Sequence, residues 1–100
     1  MGMRDVAERQ GRIELELMEE RAAALRRISQ TLESLLEQLQ VLRARIGDVH
    51  WSNPSPEVAE YRELRRRAVR YRWYLEVQRE SLGLHPDHGL DEFYRLPEPI

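Results

Sequence analysis

The sequence predicts an all-α fold: an antiparallel, coiled-coil-like two-helix hairpin with an extended C-terminal tail, assembling into a four-helix bundle or larger helical oligomer. Three observations carry this expectation. Apolar residues recur at alternating spacings of three and four through Met18, Leu25, Ile28, Leu32, Leu35, Leu39, Leu42, Ile46 and Val49, broken only by Arg21. A second run of the same kind, Tyr61, Leu64, Ala68, Tyr71, Leu75, Gln78 and Leu82, follows a proline-containing break. The third is size: 100 residues, 34% of them charged, suit long amphipathic helices but bury only a modest core unless copies associate.

The first helix is expected to begin near Arg4 or Asp5 and to end at Ile46, where Gly47 offers a left-handed stop. Residues 1–17 form an acidic helical arm, in which Val6, Ile13, Leu15 and Leu17 leave the heptad phase of the main seam. A change of phase turns the apolar edge toward a different neighbour. Residues 47–55, with Pro54 and an Asn-Pro step, read as the linker. Ser55 is placed as N-cap, Pro56 as first helical residue and Glu57 in the first turn, so a second helix spans 56–82 and stops at Gly83.

Residues 18–46 and 56–82 are each about 40 Å of helix, and a short loop between equal lengths favours a hairpin. Its seam is then Leu25, Ile28, Leu32, Leu35, Leu39, Leu42 and Ile46 against Leu64, Tyr71 and Leu75 with their neighbours Tyr61, Ala68 and Leu82. The second helix carries another, thinner apolar stripe at Val58, Val69, Trp73 and Val77. Two apolar faces imply a helix sandwiched between the first helix and either another subunit or the folded-back tail. In residues 83–100, Leu90 to Leu96 reads as either one helical turn or an extended strip, and Pro97 and Pro99 make the end extended.

Charge is distributed unevenly. The chain carries net charge −2, yet Met3–Glu20 and Gly83–Ile100 are each −3 while Tyr61–Arg79 is +5. All 16 basic residues are Arg, whose planar fork suits carboxylates and phosphates. With no cysteine, neither a disulfide framework nor a thiolate metal site is expected. No run is apolar enough for a signal peptide or membrane span, so a cytoplasmic protein without membrane contact is expected.

Catalytic signatures are weak. His85 and His88, with Asp87 between them, have no further firm ligand nearby, and no Glu precedes a His by three residues as a di-iron bundle requires, so no metal is expected. There is no Gly-x-Ser-x-Gly elbow and no phosphate-cradling glycine loop, so neither catalytic residues nor a cofactor are expected. Arg21 in the seam is the one feature suggestive of a helical mutase, and a charged seam residue serves more often as a register device or snorkels to water.

Binding residues are better marked. Arg62, Arg65, Arg66, Arg70, Arg72 and Trp73 on the second helix, with Phe93, Tyr94, Leu96 and Ile100 on the tail, form the expected docking surface. The leading functional expectation is a non-enzymatic oligomerisation, adaptor or structural protein that binds a protein partner or its own copies. The alternative is a nucleic-acid-binding regulator in which the arginines neutralise phosphates and the interleaved aromatics stack on bases.

Overall fold

The computed structural model describes residues 2–47, 55–84 and 89–100, with only the backbone described at Gly89 and Asp91. Residues 48–54 of the linker and residues 85–88, with His85, Asp87 and His88, lie outside the described residues. Three helices follow in order: α1 at Met3–Ile46, α2 at Pro56–Ser81 and the short α3 at Gly89–Phe93. The molecule is a rod of 74 × 25 × 16 Å, all-helical among the described residues, in which α1 and α2 pack against each other as a hairpin. Its radius of gyration, 19.9 Å, far exceeds the roughly 13 Å of a compact domain of this length.

Helix ends follow local chemistry. At the close of α1, Gly47 takes φ 62° and its N–H reaches the Arg43 oxygen at 3.1 Å, while Arg43 and Arg45 sit favourably at the negative end of the helix dipole. The α2 start is capped as expected: the Val58 N–H donates to Ser55 Oγ at 3.3 Å, with Pro56 at the first position. Its other end is a Schellman turn, with Leu84 N–H to Arg79 O and Gly83 N–H to Glu80 O, both 3.0 Å, around Gly83 at φ 75°.

The core is the predicted seam with a third layer added. Leu32, Leu35, Leu39 and Leu42 are buried against Val58, Tyr61, Leu64, Ala68 and Leu75, and Leu90 and Ile100 of the tail complete the cluster. Leu25, Ile28, Ile46 and Tyr71 pack at its margin, half-buried. Val58 therefore belongs to the core and not to the outer stripe of α2. It shares a helix face with Val69, eleven residues on, and differs in standing at the start of α2, where it is buried while Val69 is exposed.

α1, at 44 residues about 66 Å long, outreaches the 26-residue α2 by roughly 27 Å. Gln78 and Ser81 line the same cleft as Glu20 to Arg27, which fixes where α2 ends alongside α1. Residues before that level have no neighbouring helix, and every described residue from Gly2 to Arg21 is exposed, Met18 included. A seam position without a facing helix remains in water.

Candidate functional site

The tail's course decides which of the expected binding residues remain outward. After α3, capped by Tyr94 N–H to Leu90 O at 2.9 Å, the chain runs extended along the hairpin toward the start of α2. Three side chains of α2 hold its main-chain oxygens: the Tyr61 hydroxyl donates to Glu98 O at 2.8 Å, Arg65 Nε to Pro97 O at 2.9 Å, and Arg62 Nε to Ile100 O at 3.0 Å. A charged donor makes the last two stronger than ordinary amide bonds. Leu96 and Ile100 point into the core, and the Tyr94 hydroxyl donates to Glu33 Oε1 at 3.3 Å.

Thus Arg62, Arg65, Tyr94, Leu96 and Ile100, expected to meet a partner, make contacts within the chain. Tyr61, fully buried, is the hinge of this arrangement. Burial raises its pKa above the ordinary 10.0, opposed by the nearby Arg43 and Arg65 guanidiniums and reinforced by Glu98. Arg43 also stacks over its ring, 6.0 Å from the centroid. The sequence held one clue to this role, a tyrosine among leucines in the seam, because a buried phenol needs an acceptor.

The other expected residues share the outer face of α2. Arg66 pairs with Glu63 one turn away at 3.1 Å, Arg70 is exposed, and half-buried Arg72 lies 3.9 Å from Glu76. Trp73 is 59% exposed, with its ring 5.7 Å from that of Tyr74, which meets Tyr71 edge-on at 5.4 Å. Val69 and Val77 flank Trp73 one turn either side, also exposed. The tail covers the Tyr61–Arg65 side of α2 and leaves this stripe uncovered.

Phe93, 81% exposed, stands at the rim of an open groove of about 580 Å³ between α1 and the tail, where Leu36, Gln40 and Arg43 face Leu96 and Pro97. Among the described residues Tyr61 brings the one buried phenol and no charged residue is buried, and no cluster of three or more His, Asp or Glu is placed to hold a metal ion. No helix is long and apolar enough to cross a membrane among the described residues. What the surface offers is an aromatic and aliphatic stripe bordered by guanidiniums. Such a face is suited to an amphipathic helix carrying carboxylates. No family model, curated protein or solved structure matches the chain.

Proposed function

We propose that this chain is a non-enzymatic helical oligomerisation or adaptor module that binds a protein partner, or further copies of itself, through the outer face of α2. The observation that carries this reading is the Val69–Trp73–Val77 stripe, exposed on a helix whose opposite face is already committed to the core. Arg66 and Arg70 beside it would select an acidic occupant and repel a basic one. Helices of a second copy laid on this face would build the larger helical oligomer that the sequence expects. The tail serves this surface indirectly, by filling the hairpin groove and fixing the opposite side of α2.

Sedimentation across a concentration series tests the reading. The mass should rise above the 12.0 kDa monomer, and Trp73→Glu should abolish the rise with helicity unchanged. Association that Trp73→Glu leaves intact, or none at all, overturns it.

A nucleic-acid-binding regulator is the second reading, favoured by Arg66, Arg67 and Arg70 lying exposed beside the Trp73 and Tyr74 rings. It requires an electrophoretic shift with RNA or DNA that weakens steeply as salt is added. The absence of a shift at low salt removes it.

A further inference from the structure

We infer that the outer face of α2 seats the N-terminal arm, residues 3–20, of a second copy of this chain, lying antiparallel to α2, so that copies associate head to tail. The inference rests on the interaction reading above and names the occupant.

The arm is a helix with no neighbour. All of it is exposed, including Val6, Ile13 and Leu17, so its apolar edge stays in water in the single chain. Its apolar positions Met3, Val6, Ile13 and Leu17 follow a three-four rhythm one residue out of step with the hairpin seam at Leu25, Ile28 and Leu32. At about 100° per residue Met3, Val6 and Leu17 stand whole turns away from Leu39, Leu42 and Leu35, so the arm's apolar edge continues the side of α1 that meets α2, beyond the end of its partner. α2 of the same chain ends alongside Glu20 to Arg27 and does not reach that edge. The arm cannot fold onto α2 of its own chain either, because α1 continues through it as one helix.

Length and charge identify the seat. The arm and the outer face of α2 from Arg62 to Glu80 are both roughly 27 Å long. Within the arm, residues 3–12 are net +1 and residues 13–20, with Glu14, Glu16, Glu19 and Glu20, are −4. Within α2, residues 61–72 are +5 and residues 73–81, with Glu76 and Glu80, are −1. Only an antiparallel alignment brings the carboxylates of Glu16 and Glu20 to Arg66 and Arg70 and places Arg4 and Arg9 near Glu80 and Glu76. Val6 then meets Val77, and Ile13 and Leu17 lie along Val69.

This contact uses different surfaces on the two copies, so it does not close on itself as a two-fold dimer does. Each copy is displaced by about 28 Å along the rod, and every added copy presents a fresh face and a fresh arm.

The test uses the full chain, which has no cysteine of its own. A variant carrying Val6→Cys and Val77→Cys should oxidise to a ladder of linked copies. Within one chain these positions are roughly 27 Å apart along the rod, and a disulfide needs Cα atoms within about 7 Å. A variant carrying Val6→Cys and Val69→Cys should link poorly, and faster linking there than at 77 overturns the antiparallel seat. Ile13→Glu with Leu17→Glu should abolish association, as Trp73→Glu does, and mixing these two variants should restore a complex of two chains. If Trp73→Glu dissociates the assembly and the arm variant does not, the arm is the wrong occupant while the interaction reading stands. A wild-type chain that remains monomeric overturns both.

Discussion

The Tyr61 hydroxyl donates to the main-chain oxygen of Glu98 at 2.8 Å, bridging 37 residues of sequence and fastening the tail over the hairpin. Around that bond the flanking arginines Arg62 and Arg65 repeat the same act on Ile100 and Pro97. Tyr61→Phe keeps the ring in the core and removes only the donor. It should cost about 0.5–1.5 kcal/mol in urea unfolding. Amide exchange over residues 95–100 should quicken more than exchange over 32–42.

Alkaline pH should loosen the same fastening. The Tyr61 pKa is raised in the folded chain, chiefly by burial, so below pH 10.0 the phenol is neutral in both states and its contribution is fully present. Above that value the unfolded chain releases a proton that the folded chain retains, and stability falls as pH rises toward the folded pKa. Comparing urea midpoints of wild type and Tyr61→Phe on either side of pH 10 isolates this residue. The mutant should show the smaller alkaline loss.

Arg65 and Arg66 are adjacent in sequence and should differ in consequence. Arg65→Ala removes a charge-assisted bond to Pro97 O and should cost about 1.5–3 kcal/mol. Arg66→Ala removes an exposed pair with Glu63, worth about 0.2–1 kcal/mol at most. Thermal or urea unfolding of the two single variants checks the contrast.

Leu39→Ala, at a fully buried seam position, should destabilise by about 2–5 kcal/mol. Met18→Ala, on the same heptad repeat but past the end of α2, should change stability by no more than about 0.5 kcal/mol. Equal losses would mean that the arm has a helical neighbour in the monomer.

Gly11→Ala should stabilise the arm by about 0.5–1 kcal/mol, because a methyl group there meets nothing within 4 Å and the backbone is already helical. Far-UV circular dichroism should gain helicity.

The hairpin was legible because its signals are carried by side chains at fixed periods. Leu32, Leu35, Leu39 and Leu42 announce one edge, Leu64, Ala68 and Leu75 the other, and Ser55-Pro56 marks where the second helix starts. Where α2 stops facing α1 was less legible, since Met18 and Arg21 continue the spacing beyond the reach of a shorter partner. The return of the tail was the hardest to read. Its acceptors are the oxygens of Pro97, Glu98 and Ile100, which carry no side-chain signature, and only the donors Tyr61, Arg62 and Arg65 are distinctive. Those arginines in sequence resembled a surface for an outside ligand because the ligand they hold is backbone.

That grip has a corollary for variation. Since Tyr61, Arg62 and Arg65 bind atoms common to all twenty amino acids, the strap tolerates exchange at Glu98 and Pro99 so long as its course stays extended and Leu96 and Ile100 keep their footing. A designer grafting a foreign epitope into this stretch has those two anchors to preserve and the residues between them to rewrite.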